Sequence, residues 1–396
     1  ESPSEPGVLW AGTDDGLVYI SHSGGGNDSA DWQNITPPDL PEWTLVSIIE
    51  VSTHHPATAY VAATRYKLDD YSPYLYKTSD YGKTWQRIDG SFPTYEEIPQ
   101  ITRVIRQDPV QPGLLYVGTE TGLYISLDDG TTWQRMESNL PVAPIYDLLI
   151  KDDDLVVATH GRAFWILDDV TPLRELAAGR VQSPIHLFPP RLTTRQTLGW
   201  SVDLFRGPGI TYSMGLGAAI AFRETKGPSG EQMRTFLDGG ENPPNGAIVY
   251  FTLPEDVNTS ASESIDEPVT LVFLDEDGVE IRTFRSKTAA TSASVNDGEE
   301  SNEQVVPTKP GLNRFVWDLR YPNVVKVAGD FATEKATTGP KIAPGNYQVQ
   351  LSAGDQRITQ HFSVRADPRV DAEHEELQAQ FELGVQIRDK IEQIHE

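Results

Sequence analysis

Short apolar runs recur through the first 170 positions, each closed by a small residue and Thr and followed by a polar turn containing Gly. Val8-Leu9-Trp10-Ala11-Gly12-Thr13-Asp14-Asp15-Gly16-Leu17-Val18-Tyr19 lines up with Leu114-Leu115-Tyr116-Val117-Gly118-Thr119-Glu120-Thr121-Gly122-Leu123-Tyr124-Ile125. Leu155-Val156-Val157-Ala158-Thr159-His160-Gly161-Arg162-Ala163-Phe164-Trp165-Ile166 is a third version, and Ala59-Tyr60-Val61-Ala62-Ala63-Thr64 opens a fourth. In that fourth copy the turn has grown to span 65–73. Two β-rich runs around a tight polar turn predict an antiparallel hairpin.

A second landmark is in phase with the first. Thr78-Ser79-Asp80-Tyr81-Gly82-Lys83-Thr84-Trp85 matches Ser126-Leu127-Asp128-Asp129-Gly130-Thr131-Thr132-Trp133 in the frame Ser/Thr-x-Asp-x-Gly-x-Thr-Trp, and Gln-Arg follows each copy. The two tryptophans are 48 positions apart. A decayed copy, Ser21-His22-Ser23-Gly24 and then Asp31-Trp32-Gln33 after a small-residue insertion, precedes them. Asp80 and Asp128 are expected to accept backbone N–H bonds within the turn, and Gly82 and Gly130 to take positive φ. Trp85 and Trp133 are expected to pack between adjacent sheets. Runs at 45–51, 101–106 and 145–151 supply an innermost strand, so each unit has four strands, which is the blade of a β-propeller.

The frame resembles the Asp-box, or BNR repeat, of sialidases, xyloglucan-active endoglucanases and sortilin/VPS10-type propellers. The chain is more similar still to large bacterial proteins labelled "glycosyl hydrolase" or sortilin-like, on the runs 10–19, 68–76, 158–169 and 311–322. That resemblance implies a structural role for the Asp-box residues, on the face away from any catalytic cleft. About three complete blades and one partial blade fit before position 170, fewer than the roughly four of the smallest propellers. An open arc leaves apolar sheet faces bare at its ends. The chain is therefore expected to be the C-terminal part of a longer protein, with the remaining blades coming from an upstream segment or a separate chain. The start at Glu1, without an initiator Met, reads as processed or excised.

The second half has a different texture. Residues 171–176 predict a short helix or turn, and 195–240 long Gly-rich loops with a few strands. Runs at 247–253, 269–274, 279–284, 311–319, 345–351 and 357–364, separated by turns, predict an immunoglobulin-like β-sandwich. Asp275-Glu276-Asp277-Gly278 reads as an exposed hairpin turn rather than a calcium loop, and 286–309 as a mobile loop. A helix is expected over 370–395, with Asp371 as its N-cap and Leu377, Phe381, Val385, Ile391 and Ile394 along one side. The fold class is all-β: an incomplete Asp-box propeller arc (1–170), a connector (171–240), a sandwich (241–368) and a C-terminal helix (369–396).

Composition narrows the chemistry. With 58 acidic against 32 basic residues the formal charge is −26, which disfavours nucleic acid and anionic membrane surfaces as partners. Cys is absent, so zinc-thiolate sites, thiol nucleophiles and disulfide scaffolds are excluded. No apolar run is long enough for a membrane-spanning helix, and phosphate-loop, dinucleotide and G-x-S-x-G signatures are missing. No cofactor or metal is expected. Export to the periplasm, cell surface or medium is expected from the family likeness, the acidic surface and the lack of Cys. Sequons at Asn27, Asn34 and Asn258 carry little weight.

The turns between second and third strands define the face opposite the Asp-boxes. They carry Asp14, Asp15, Asp69, Asp70 and Glu120 as candidate catalytic carboxylates, and Arg65, Tyr66, Tyr71, His160 and Arg162 as candidate ligand-binding residues. Paired carboxylates flanking a sugar are the minimum for glycoside hydrolysis, and exposed aromatic rings suit sugar or protein contact. Arg65, Arg103, Arg106 and Arg162 are available for a sialidase-type cluster, but no spacing singles out three. The expected role is a protein- or glycan-binding assembly module, with β-glucan or xyloglucan hydrolysis as the alternative.

Overall fold

The structure, a computed structural model, describes every residue except 27, 93–99, 137–138, 197–208, 216–217, 227–231, 238–242, 255–267, 288–303, 325–337 and 396. Gly207-Pro208, Asn27, the Asn258 sequon and most of the expected mobile loop at 286–309 thus lie outside the described residues. The chain divides into two compact units, Glu1–Arg180 and Val181–Glu396.

The first unit is a series of antiparallel sheets. Blade 1 holds β1 (Leu9–Gly12), β2 (Val18–Ser21) and β3 (Gln33–Asn34). Blade 2 holds β4 (Leu45–Val51), β5 (Ala59–Arg65), β6 (Asp70–Thr78) and β7 (Gln86–Arg87). Blade 3 holds β8 (Thr102–Gln107), β9 (Leu115–Thr119), β10 (Leu123–Ser126) and β11 (Gln134–Arg135). Blade 4 holds β12 (Ile145–Lys151), β13 (Asp154–Thr159) and β14 (Phe164–Leu167). The first strands of blades 2, 3 and 4 slip register at the same place, at Val46/Ile48, Thr102/Val104 and Ile145/Asp147, so even the β-bulge repeats.

Alternation of side chains across each strand gives every blade two apolar faces. Tyr60, Ala62, Leu75 and Ile88 of blade 2 meet Ile105, Leu115, Val117, Tyr124 and Trp133 of blade 3 in one core. Tyr116, Leu123 and Ile125 on the other face of blade 3 meet Ile145, Leu148, Leu155 and Val157 of blade 4. Among the described residues the far face of blade 4 is uncovered: Phe164 is 75% exposed, whereas Leu123, at the same register in blade 3, is 3% exposed.

The Asp-box turns join neighbouring blades. In blade 2 the Thr78 hydroxyl donates to Asp80 Oδ1 (2.9 Å) and accepts from the Gly82 N–H (2.9 Å), while Asp80 accepts from both the N–H (2.9 Å) and hydroxyl (2.6 Å) of Thr84. Ser126, Asp128, Gly130 and Thr132 repeat this pattern in blade 3. Each turn runs through two left-handed residues, Tyr81-Gly82 and Asp129-Gly130. A Cβ on Gly82 would lie 2.5 Å from Ile35 of the preceding blade, and one on Gly130 would lie 2.8 Å from Ile88. The indoles of Trp85 and Trp133 then donate to the carbonyls of those same isoleucines, at 2.6 and 2.7 Å. Even the decayed copy keeps part of the pattern, since the Ser21 hydroxyl accepts from the Gly25 N–H (3.1 Å).

These bonds predict an acid response. The Thr84 hydroxyl and N–H hold the Asp80 carboxyl below the ordinary carboxylate range. At Asp128 burial pushes upward, but bonds from Thr132 and Ser126 outweigh it. A depressed folded-state pKa contributes stability above the unfolded value of about 3.9, and that contribution is lost as pH falls through the folded value. Urea midpoints of the arc should drop below about pH 4. An Asp80→Asn/Asp128→Asn variant should show a shallower drop, and an unchanged slope would contradict this role for the two carboxylates.

The blade count differs from the sequence expectation. Blades 2 and 3 are four-stranded, but among the described residues blade 1 has no inner strand and blade 4 no outer one. No Asp-box frame follows β14. The backbone instead turns left-handed at Asp169 (φ 68°), whose carboxylate accepts from the N–H (3.0 Å) and hydroxyl (2.6 Å) of Thr171. Pro172 then sits in the first turn of α1 (Thr171–Ala177), a position that tolerates its missing N–H. Leu173 and Ala177 of this helix join the core that contains Met136 and Leu140.

The second unit is a β-sandwich with a helix. Its strands are β15 (His186–Leu187), β16 (Thr193–Arg195), β17 (Gly209–Gly215), β18 (Ala218–Lys226), β19 (Gln232–Phe236), β20 (Ala247–Leu253), β21 (Thr270–Leu274), β22 (Glu280–Arg285), β23 (Gly311–Trp317), β24 (Gly345–Ala353) and β25 (Gln356–Ala366). One sheet runs β15-β20-β23, a second β16-β25-β24-β21-β22, and β17–β19 form a third. The first two enclose a core in which Phe273 stacks on Trp317 at 4.4 Å. The 275–278 segment is a hairpin turn with Gly278 at φ 82°.

Helix α2 (His374–His395) starts later than expected, and Asp371 does not cap it. The Glu376 carboxylate instead accepts from the Glu373 N–H (3.1 Å), half of a capping box two residues further on. Leu377 is buried and Phe381 rests on Tyr321, but Ile394, Leu383 and Ile387 are exposed. Among the described residues no helix is long and apolar enough to cross a membrane.

Candidate functional site

The turns between second and third strands lie at the end of the blades away from the Asp-boxes, and there the structure gathers part of the expected set. The Arg103 guanidinium donates to Glu120 (2.8 Å) and lies over two rings, Tyr66 at 4.6 Å and Tyr146 at 4.8 Å. Tyr146 in turn meets His160 edge-on, with centroids 5.0 Å apart. Tyr66 comes from blade 2, Arg103 and Glu120 from blade 3, and Tyr146 and His160 from blade 4, so one polar-aromatic cluster spans three blades. A cation held between two rings and paired with a carboxylate is a rigid arrangement.

Asp70 forms a second group. It pairs with Arg65 (3.2 Å) and accepts from the Tyr74 hydroxyl (2.6 Å) and the Ser72 N–H (3.1 Å). Burial raises its pKa, but the Tyr74 and Ser72 bonds and Arg65 outweigh that and hold the carboxyl below the ordinary range. Such a group stays ionised and is a poor general acid. Asp69 takes a left-handed conformation (φ 57°) at the end of the Tyr66–Leu68 turn, near the exposed Tyr71.

The remaining candidates stand apart. Asp15 accepts from the Thr13 hydroxyl and Asp14 lies exposed on the same turn. Arg162 takes part through its backbone, donating its N–H to Thr159 Oγ1 (3.2 Å) and accepting at its carbonyl from the Trp165 indole (2.8 Å). Among the described residues no hydrogen bond joins any two of Asp14, Asp15, Asp69, Asp70 and Glu120.

Two features escaped the sequence reading. Trp43, between blades 1 and 2, is 69% exposed and held at φ 61°. Its N–H donates to the Asp15 carbonyl (2.8 Å), which ties it to the same face. Positive φ is costly for a bulky residue and persists where surrounding structure imposes it. The other feature is a chain of charges along the inner strands. Arg106 donates to Glu50 (3.0 Å) and Asp147 (2.7 Å), so one charged residue from each of β4, β8 and β12 is linked across the blades. Burial raises the Glu50 carboxyl above its ordinary range, against the pull of Arg106 and of the Gln107 N–H. The available signal was charge within runs otherwise rich in apolar residues: Glu50 in β4, Arg103 and Arg106 in β8, Asp147 and Lys151 in β12. Among the described residues no group of three or more His, Asp or Glu could hold a metal ion.

These elements define an incomplete β-propeller arc joined to a β-sandwich and a terminal helix. No protein-family model matches the chain, and no curated protein does. Among solved structures it is similar to a GH74 enzyme of Niastella koreensis (13% identity, TM-score 0.31, 91% of this chain and 53% of that one). It is also similar to the GH74 xyloglucanase of Xanthomonas campestris (14%, 0.29, 90% and 52%). A third is PorZ, a surface component of the type-IX secretion system of Porphyromonas gingivalis (11%, 0.24, 90% and 56%). The chain spans about half the length of these three proteins. Likeness this remote says nothing about chemistry.

Proposed function

We propose that the chain is part of a secreted or cell-surface Asp-box propeller protein of the sortilin/VPS10-like kind, and that the face bearing Trp43 binds a glycan. Trp43 carries the proposal: a large ring held out of the core in a costly backbone conformation, on the face that also presents Tyr66, Tyr71 and Tyr146. Amphipathic rings of this type suit sugar faces, and the fixed Arg103–Glu120 pair offers hydrogen bonds beside them. The bare face of blade 4 supports a further reading, that additional blades from an upstream segment or a separate chain extend the arc. In this reading 1–170 is the arc, 171–240 a connector, 241–368 the sandwich and 369–396 a helix.

Calorimetric titration with xyloglucan and β-glucan oligosaccharides tests the glycan reading. Trp43→Ala should weaken binding by at least about tenfold, in line with loss of one stacked ring. Its melting temperature should stay unchanged, because the ring packs little. Equal affinities in the two proteins would refute the assignment.

Hydrolysis at a separate site is the second reading, and Glu50 favours it; this residue lies away from the Trp43 end of β4, where it accepts from the Gln107 N–H (3.3 Å). A carboxyl raised by burial and linked through Arg106 to the more exposed Asp147 is the sort of unequal pair that divides acid from base. Release of reducing ends from xyloglucan, abolished in Glu50→Gln, is the expected result. Absence of turnover in the unaltered protein would leave binding alone.

A further inference from the structure

The seams between blades differ on the Asp-box side of the arc. Between blades 3 and 4 the seam is filled from within the chain. Arg174 of α1 donates to both oxygens of Asp108 in blade 3 (2.9 and 3.0 Å) and reaches Asp153 in blade 4. Beside it the Tyr116 hydroxyl donates to Asp108 (3.3 Å). Between blades 2 and 3 the corresponding seam is an open pocket of about 720 Å³, lined by the 55–58 and 112–113 turns, Lys77 and Asp129.

The pocket's polar groups echo the filled seam. Tyr60 occupies in β5 the register of Tyr116 in β9, and its hydroxyl donates to Asp129 Oδ1 (2.7 Å). Lys77 pairs with Asp129 Oδ2. Gln107 donates its amide to the Tyr60 hydroxyl (3.0 Å), is only 7% exposed, and leaves its Oε1 without a partner. Gln107 opposes Leu115 in β9 as Ile150 opposes Leu155 in β13, so an apolar residue serves at the same register in blade 4. The blade repeat does not require this amide. An orphaned buried acceptor is costly unless something donates to it.

We propose that the pocket between blades 2 and 3 receives an arginine side chain from a partner polypeptide, with Gln107 Oε1 and the Asp129 carboxylate as acceptors, as Arg174 fills the next seam. The planar fork of a guanidinium can serve two acceptors at once, which a lysine ammonium does less well. A chain of net charge −26 favours the approach of a cationic partner. The site lies on the face opposite Trp43 and does not depend on glycan binding.

Ligand-observed NMR titration with acetyl-Gly-Arg-Gly-amide, and with the same peptide carrying citrulline, tests the proposal. Saturable binding of the arginine peptide is expected, weakened at least fivefold by citrulline, by Gln107→Ile and by Asp129→Asn. Gln107→Ile installs the residue type of Ile150, so the fold is expected to persist, and thermal melting checks it. Asp277→Asn, on the exposed turn of the second unit, should bind as the unaltered chain does. No saturable binding, equal binding of the citrulline peptide, unchanged binding in Gln107→Ile, or equal loss in Asp277→Asn would each overturn the proposal.

Discussion

Replacing Asp108 with alanine is expected to destabilise the arc by about 3–5 kcal/mol, the range for breaking a buried ion pair from one side. Asp108 is fully buried and central to its surroundings. Its Oδ1 accepts from the N–H groups of Val110 and Gln111 (both 2.8 Å), which closes the turn after β8. Both oxygens accept from Arg174, and Oδ2 also accepts from Tyr116. Without the carboxylate the buried Arg174 keeps only Asp153, the Tyr116 hydroxyl loses its acceptor, and two backbone donors are stranded. Asp108→Asn retains an acceptor for the turn and should fall between alanine and the native residue. Urea denaturation followed by tryptophan fluorescence measures both. A loss under about 1 kcal/mol in Asp108→Ala would mean that α1 is not anchored through this pair.

Trp133→Ala should cost a similar amount, about 3–5 kcal/mol, through loss of a large buried ring and the cavity left behind. The indole fills the core between blades 2 and 3, lies 5.7 Å from the Phe92 ring and holds the Ile88 carbonyl. Trp133→Phe keeps most of the apolar contact and loses the hydrogen bond, so its cost should be nearer about 1–2 kcal/mol. Trp85 makes the same bond but is only partly buried, and its alanine variant should lose less. Equal losses at the two positions would mean that burial does not control the size of the effect.

The blades were legible in the sequence because their determinants are local. Strand period, turn glycines and the Ser/Thr-x-Asp-x-Gly-x-Thr-Trp frame each act within a few residues, and the hydrogen bonds of Thr78, Asp80 and Thr84 all close inside one turn. The ends of the arc were less legible. The docking of α1 after β14 depends on Asp169 and on Arg174 finding Asp108 in another blade, a partner 66 positions away. The candidate face was half legible. Glu120 and His160 could be placed on one side of the propeller from turn order alone. Their meeting with Arg103, Tyr66 and Tyr146 is set by how blades stack; Arg162, on the same turn as His160, bonds through its backbone, and Asp14 and Asp15 belong to blade 1, outside the three blades that build the cluster. Trp43 follows no repeat, so no pattern in the chain singled it out.

The tryptophan clamps have a direction. Blade 2 grips blade 1 and blade 3 grips blade 2, always reaching backward along the chain, while the last seam is bolted by a helix instead. Blade 1 is gripped but grips nothing within this unit. An array coupled only between nearest neighbours loses order from its least-held member, so amide exchange should strip protection from blade 1 first and reach blade 3 last.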